Sequence, residues 1–471
     1  MYFRRFYDDQ LAQASYLIGC QANGTAIVID PARTIQPYLE VAAAEGFTIV
    51  AVTETHIHAD FVSGIRELAA ATEAKTYVSG CGTPEWQYQF RTAPNVTVLA
   101  DRDTISIGNI RITAVHTPGH TPEHLVFLVT DGAVAEEPMG VVTGDFVFVG
   151  DVGRPDLLEK AAHVANTAEA GARDLYRSLT WFKTLPDYVQ VWPGHGAGSA
   201  CGKGLGAVPQ STLGYERRFN WAFGVESEAE FVRQVLVGQP EPPRYFGRMK
   251  EVNRAGAAVL GPLPPVPSLN SAAFKRHLTA GAMVVDTRPS AEFAAGHAPG
   301  TINIPLSKNF TTYAGSVLPF DQEICVVLTD LTVGEAVARN LRSIGFDRIG
   351  GVIEATVVDA WKGRGNTLGT STEITVEQLA DGPATSRLVI DVRNRSEWEV
   401  GHMPGATLIP LPELIDRLDE VPKDVDILLH CYSGGRSAIA SSVLKSRGYE
   451  RVTNLIGGFS AWIGMGGKIE R

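Results

Sequence analysis

Six side chains in the N-terminal half of the chain are of the types that bind first-row divalent metals. The run T-H-I-H-A-D (55–60) puts His56, His58 and Asp60 on one short loop. T-P-G-H-T (117–121) supplies His120, T-G-D (143–145) supplies Asp145, and W-P-G-H-G (192–196) supplies His195. Neutral imidazole and carboxylate are donors such metals accept, and the neighbouring glycines permit the sharp turns that bring strand ends together. A lone His-x-His is a weak signal. Four such elements in this order, each following a strand-like run, predict a metal centre.

A second reactive group is a thiol. D-I-L-L-H-C-Y-S-G-G-R-S (426–437) reads as strand, loop and helix, with Cys431 leaving the strand end. Tyr432, Ser433, Gly434, Gly435 and Arg436 wrap round the sulfur, and their N–H groups and the following helix N-terminus point at it. That geometry lowers a thiol pKa and cradles an anion. Such a thiolate can carry a transferable sulfane sulfur as a persulfide.

The other cysteines are Cys20, Cys81, Cys201 and Cys325. Five widely spaced cysteines with no C-x-x-C pair exclude a disulfide framework or a structural zinc knot. Cys201 lies in the Gly-rich stretch 194–206, six residues beyond His195. Either its thiol enters the metal pocket and handles a persulfide sulfur, or it is an inert buried cysteine.

These groups need elements to hold them. TAIVID (25–30), FTIVAV (47–52), RITAVH (111–116), EHLVFLV (123–129), MGVVTGD (139–145) and YVQVWPGH (188–195) read as strands. Amphipathic helices are expected over 62–74 and 168–183. The histidines and Asp145 then fall at strand ends, where open α/β sheets gather chemistry. From about 239 to 268 the composition turns proline-rich, with four prolines between Pro262 and Pro267, which predicts a stiff linker. Beyond it VVDTRPSAEFAAGHAPGTINIPL (284–306) repeats as VIDVRNRSEWEVGHMPGATLIPL (389–411), with Asp286 and His297 matching Asp391 and His402 at one constant offset. Two copies, each long enough to own a core, are a duplication and not a solenoid. The expected organisation is a domain over 1–245, a linker over 246–267, and repeats over 268–367 and 368–471.

At about 150 residues per domain, 471 residues fit three domains. A hydrophobic content of 44% and a charged content of 20% are those of a soluble globular protein, which excludes long disorder and coiled coils. No run approaches the ~20 apolar residues of a membrane span. The N-terminus has charges on both sides of its apolar residues and reads as a first strand, so a cytoplasmic location is expected. With 41 basic and 52 acidic side chains the net charge is −11, which argues against a nucleic-acid partner.

On the metal-donor runs, residues 1–245 resemble a metallo-β-lactamase-fold domain, an αββα sandwich. G-H-T-P-E-H (119–124) and T-G-D-F-V-F-V-G-D-V-G-R-P-D-L (143–157) are similar to the persulfide dioxygenases of that superfamily. The resemblance implies one Fe(II) per chain, held by His56, His120 and Asp145 and open to O2 and a thiolate, with zinc as the alternative metal. His58, Asp60 and His195 would then orient ligands and bound water; direct ligation by His58 would favour a zinc hydrolase. Two-metal members carry a histidine directly after the aspartate, whereas Phe61 stands here, which points to one metal. Arg154 matches an arginine that such dioxygenases place near substrate.

The repeats resemble rhodanese domains, α/β units with parallel central sheets, through D-V-R (391–393), G-H-M-P-G-A (401–406) and G-G-F-S-A-W (457–462). The family's catalytic cysteine maps to Cys431 and its loop arginine to Arg436. Related phosphatases have a loop one residue longer, and Ser437 stands at their arginine position, so this loop suits sulfur. In the first copy Leu328 falls opposite Cys431 and Val333 opposite Arg436, while Cys325 lies within a strand. That copy is expected to be an inactive spacer or docking surface, with Asp286, Arg288 and His297 as scaffold.

Taken together, the resemblance implies an α/β persulfide dioxygenase fused to an inactive and an active rhodanese, acting in sulfide detoxification. Its small partners would be a low-molecular-weight thiol persulfide, O2, and sulfite or thiosulfate, and the family suggests a homo-oligomer. The alternatives are a zinc-dependent thioester hydrolase of the glyoxalase II type with a sulfurtransferase domain, and a non-catalytic sulfur carrier or sensor.

Overall fold

The computed structural model describes residues 1–160, 166–363, 365–381 and 387–471. The chain divides into two compact units, Met1–Leu263 with Ser343–Gly345, and Pro264–Arg342 with Phe346–Arg471. No helix among the described residues is long and apolar enough to cross a membrane.

The first unit is built on two six-stranded sheets, each laid down in chain order. One runs from Tyr2–Asp8 to Val96–Leu99; its first three strands pair antiparallel and the later pairs are parallel. Parallel neighbours need a crossover, and the helices Gln36–Glu45 and Ile65–Thr72 supply two of them. The other sheet runs from Thr104–Ile107 through Ile110–His116, Leu125–Asp131 and Gly140–Gly144 to Gln190–Pro193 and Ser211–Thr212. Gly140–Gly144 pairs parallel with Gln190–Pro193, and helix Ala168–Phe182 crosses between them.

Strand alternation sets the layers. Along Gln13–Cys20, Ala14, Tyr16 and Ile18 meet Ile112, Phe127 and Trp192 in the core between the sheets. Leu17, on the opposite face, packs with Tyr38 and Leu68 under the helices. Beyond the second sheet, Leu175, Leu179 and Phe182 recur at helical spacing and cover Val126, Leu128 and Val141. The α/β sandwich expected from the sequence results.

The expected linker needs correction at its start. Tyr245–Ala255 is a helix with Tyr245, Phe246, Met249, Lys250 and Asn253 buried. Tyr245, Met249 and Asn253 recur every fourth residue, an amphipathic stripe that the prolines at 240, 242 and 243 overshadow in composition. The irregular, proline-bearing stretch follows from residue 256.

The second unit contains both repeats. The first has a parallel sheet in the order Ile302–Asn303, Met283–Asp286, Ile324–Leu328, Ile349–Glu354. The second has the same order in Thr407–Leu408, Arg387–Asp391, Asp426–His430, Val452–Leu455, with Thr372–Ile374 added at the edge. Both copies keep the same ties. Arg288 binds Asp286 and the Gly296 carbonyl, and Arg393 binds Asp391 and the Gly401 carbonyl. His297 stacks on Phe293 at 3.8 Å and His402 on Trp398 at 3.6 Å.

Candidate metal centre and thiol loop

The metal-donor residues converge at one end of the sandwich from four strand ends. His56, His120 and Asp145 form one buried group, and Asp60, His195 and Cys201 a second, each with ligand atoms within 4.8 Å of one another. The groups adjoin, because His195 Nε2 lies 3.2 Å from Asp60 and 3.3 Å from Asp145. Close turns make this possible. Gly153 has no room for a side chain, since a Cβ there would lie 1.7 Å from the Asp145 carbonyl oxygen.

The rings are held from behind. The Nδ1 of His120 is 3.0 Å from the Arg154 carbonyl, and that of His195 is 3.0 Å from the Ala12 carbonyl. A carbonyl can only accept, so each Nδ1 carries the proton and each Nε2 offers a lone pair to the centre. His56 Nε2 and both oxygens of Asp60 and Asp145 are buried with no hydrogen-bond partner among the described residues. Buried polar groups are ordinarily satisfied, and a divalent cation would satisfy these. The donor set therefore fits a metal.

Electrostatics separates His58 from the others. Burial holds His56 and His120 well below the ordinary imidazole range, so both are neutral donors. Burial pushes the Asp145 carboxyl up to about 6, with nearby Asp60 adding to the effect and His195 opposing it. Burial also works against charge on His58, but the Asp30 carboxylate 3.1 Å from its Nε2 prevails and raises it to about 9. Its Nε2 is thus committed to Asp30, while its Nδ1 is buried with no hydrogen-bond partner among the described residues. Phe61 packs against that ring at 4.4 Å. Cys201 sits well above the ordinary thiol range because of burial and the Asp145 and Asp60 carboxylates, so without a cation it is a thiol and not a thiolate.

Arg154, expected near substrate, makes a buried ion pair. It is fully buried, its guanidinium forks onto Asp156 at 2.8 Å twice, and it donates to the Ala200 carbonyl. With the fork committed, its contribution to the centre is the carbonyl that orients His120. Arg154→Ala takes the bidentate partner from a buried carboxylate, leaving it only Lys160, and should cost about 3 kcal/mol of stability. Burial alone would raise Asp156, yet Arg154 and Lys160 hold it below the usual carboxylate range. The pair's contribution is thus full above the unfolded pKa near ~4 and drains as pH falls through the lower folded value. Denaturant melts of parent and variant should differ most at neutral pH and converge in acid; an equal gap at both would show that Asp156 is not the group responsible.

In the second unit, Cys431 is buried at the end of strand Asp426–His430. Gly434 N–H donates to its sulfur at 3.1 Å, Ser437 lies at 3.6 Å, and helix Gly435–Ser446 begins beside it. The G-G-F-S-A-W turn pins the loop: Phe459 N–H donates to the Cys431 carbonyl and Ser460 N–H to that of Tyr432. Gly458 has φ +53°, and a Cβ on it would lie 2.3 Å from the Cys431 carbonyl oxygen. Ser433, Gly435 and Arg436 line a cavity of about 420 Å³ in front of the thiol, at whose edge Tyr432 is exposed. Arg436 is not a free loop cation, because its two terminal nitrogens reach the two oxygens of Glu397 at 2.6 and 2.8 Å.

Strand register shows what stands opposite Cys431 in the first copy. Asp391 pairs with His430 and Asp286 with Val327, so the residue after Val327, Leu328, stands where Cys431 stands. A 3-10 turn, Leu331–Val333, follows, with the Asp330 carboxylate accepting from Thr332 N–H in place of an open cradle. Cys325 is buried in its strand, its thiol pushed up to about 12.

Several site residues escaped the sequence reading. Asp30 captures His58, and Glu123 accepts from the Ile57 N–H within the metal loop. His124 Nε2 accepts from the Asp145 N–H; both Glu123 and His124 lie in the G-H-T-P-E-H run, which was a usable signal. Asn253 donates to the His58 and Phe61 carbonyls. Lys250 is buried with no hydrogen-bond partner for its Nζ among the described residues, and burial lowers it to about 8 against the pull of Glu123. Nothing in the sequence around 245–255 marked either.

The metallo-beta-lactamase superfamily matches residues 8–195, and the rhodanese-like domain matches residues 270–353 and 374–465. The crystal structure of a metallo-beta-lactamase from Staphylococcus aureus subsp. aureus COL is 44% identical, covers 75% of this chain and 98% of its own, and has a TM-score of 0.67. A sulfurtransferase of Allochromatium vinosum is 39% identical over 92 residues, 19% of this chain and 86% of that protein. A hydroxyacylglutathione hydrolase of Rhodospirillum rubrum is 28% identical over 181 residues, 38% of this chain, and the chain spans 60% of that relative's length. With these matches on both units, the chain belongs to the metallo-beta-lactamase superfamily and carries two rhodanese-like domains behind its metallo-beta-lactamase domain.

Proposed function

We propose that the chain oxidises a low-molecular-weight thiol persulfide with O2 at the His56–His120–Asp145 centre and moves sulfane sulfur through Cys431. The observation that carries this reading is the capture of His58 by Asp30. With His58 held there, His56, His120 and Asp145 form one buried group of two imidazoles and a carboxylate, the donor set of non-haem Fe(II) oxygenases, with His195 adjoining. In this reading the metallo-β-lactamase domain with helix Tyr245–Ala255 is the dioxygenase, 268–367 the inactive rhodanese copy and 368–471 the active one.

A ferrous ion at the centre would supply the redox chemistry by which O2 oxidises sulfur. The overall balance is RSSH + O2 + H2O → RSH + SO₃²⁻ + 2 H⁺. The chain's own groups do the positioning. His120 and His195 are fixed by the carbonyls behind them, and the apolar ring of Phe61 fills the space beside His58. Lys250 is buried within electrostatic reach of both His56 and His120, and its charge would favour an anionic persulfide at the centre. At the thiol loop, Cys431–S⁻ + RSSH → Cys431–S–S⁻ + RSH loads the sulfur, and Cys431–S–S⁻ + SO₃²⁻ → Cys431–S⁻ + S₂O₃²⁻ unloads it. Sulfite is the product of one site and a substrate of the other. The sulfurtransferase relative supports sulfur-transfer chemistry in the rhodanese-like part of the chain.

A second reading is a zinc thioester hydrolase. The adjoining Asp60–His195–Cys201 donors favour it, as does the hydroxyacylglutathione hydrolase relative. Metal analysis of the purified full chain, with O2 uptake on glutathione persulfide, separates the two. About one iron per chain and rapid uptake are expected. Zinc at full occupancy, no uptake after iron reconstitution, and anaerobic thioester hydrolysis would establish the second reading instead.

A further inference from the structure

The cavity in front of Cys431 is not made by the active copy alone. Ser307, Asn309 and Tyr313 of the first repeat line it together with Glu397, Cys431 and Arg436 of the second. Tyr313 lies one turn into helix Phe310–Val317 and is half-buried. Its phenol interacts with the charges of Arg436, Cys431 and Glu397, and the Asn309 side chain hydrogen-bonds it. Burial raises it above the ordinary tyrosine range, so at neutral pH it keeps its proton and is a donor.

Unloading the sulfur brings a sulfite dianion against Cys431–S–S⁻. Like charges at that distance repel, so the incoming oxygens need hydrogen-bond donors. The obvious donor, Arg436, turns the end of its fork to Glu397, which takes one N–H from each terminal nitrogen and neutralises the charge. Gly434 N–H is already given to the Cys431 sulfur. Tyr313 lines the same cavity and brings a neutral hydroxyl donor to it. We propose that Tyr313, from the copy without a nucleophile, donates its hydroxyl to the sulfonate oxygens of sulfite or thiosulfate at Cys431. The first copy is then half of the acceptor site and more than a spacer. A thiol persulfide presents sulfur there, a weak hydrogen-bond acceptor, so loading depends on Tyr313 far less than transfer to sulfite does. A cavity of about 420 Å³ has room for such an organic donor as well as for the inorganic acceptor.

This inference rests on the reading of Cys431 as the sulfane carrier, and the test separates the two. Full-length parent, Tyr313→Phe and Tyr313→Phe/Glu397→Gln are loaded with glutathione persulfide, and loading is followed by the peptide mass at Cys431. Thiosulfate formation is then measured against sulfite concentration. Removing one hydrogen bond to a charged ligand should lower kcat/KM for sulfite about tenfold, carried by KM, while the loading rate changes less than about twofold. Glu397→Gln keeps its helix-capping oxygen but loosens the clamp on Arg436, and should recover most of the lost sulfite affinity. A parental sulfite KM in Tyr313→Phe overturns the inference. So does an equal fall in loading and transfer, which marks a packing role, or a complete lack of recovery in the double variant. If Cys431 of the parent takes up no sulfane sulfur, the carrier reading fails first and the inference falls with it.

Discussion

His120→Ala and Asp145→Ala variants are expected to hold no stoichiometric metal and to consume no O2 on persulfide, while sulfur transfer at Cys431 continues. Each substitution removes one of three donors from a site whose remaining lone pairs already lack other partners. Loss of groups that merely orient ligands costs 10–100-fold in affinity or activity, so loss of a ligand should exceed ~100-fold. The thiol loop should persist because the metal donors lie in one compact unit and Cys431 in the other. Metal content, O2 uptake and persulfide-to-sulfite transfer are measured on the same preparation, with a melt to show that it is folded. Equal loss of both activities in a folded variant would contradict the separation.

The Asp145 carboxyl gives a second readout that needs no turnover. Its folded pKa, about 6, lies above the unfolded value of ~4, so the folded metal-free protein binds the extra proton. Stability of the metal-free chain should therefore fall as pH rises from about 4 to 6 and stay lower above that. Added metal should reverse the fall in the parent. Asp145→Asn, which has no such proton to lose, should show a shallower slope over that window.

What the sequence made legible was local. His56, Asp60, His120, Asp145 and His195 sit in short runs at strand ends, and strand ends can be read from apolar patterning alone. The place of Leu328 in the first repeat was legible for the same reason, because an ungapped match already set it against Cys431 and strand register places it there. Long-range partners were not legible. The role of His58 depends on Asp30, which follows the neighbouring strand; the Arg154–Asp156 pair is local, but its burial is set by the fold and not by the spacing. Helix Tyr245–Ala255 was hidden because the prolines before it dominate the local composition, although its buried stripe recurs every fourth residue. Glu397 and Tyr313 illustrate a third kind of blindness. Each lies far from Cys431 in sequence, and only the packing of the repeats shows that Arg436 is clamped and that the silent copy lines the thiol cavity.

Cys431→Ser should change the product instead of stopping the chain. Serine nearly matches the side chain in size, but its hydroxyl stays protonated at neutral pH and cannot hold a sulfane sulfur. The cradle that positions Sγ, from Gly434 N–H to the start of helix Gly435–Ser446, would then surround an unreactive oxygen. Removing a nucleophile from an organised site costs ~10³-fold or more. The metal donors do not depend on that thiol, so O2 uptake on persulfide should continue near the parent rate. Sulfite made at the centre then loses its enzymatic acceptor reaction, and the product shifts from thiosulfate towards sulfite. Cys325→Ser should leave the ratio unchanged, since that thiol is buried in a strand of the silent copy and its pKa of about 12 keeps it protonated. Sulfite also reacts slowly with persulfide in solution, so the ratio must be read at early times. Thiosulfate formed at the parent rate by Cys431→Ser would place the transfer elsewhere. Cys201 would be the next thiol to test, and because burial, with Asp145 and Asp60, keeps it protonated in the metal-free protein, any role for it should vanish when the metal is removed.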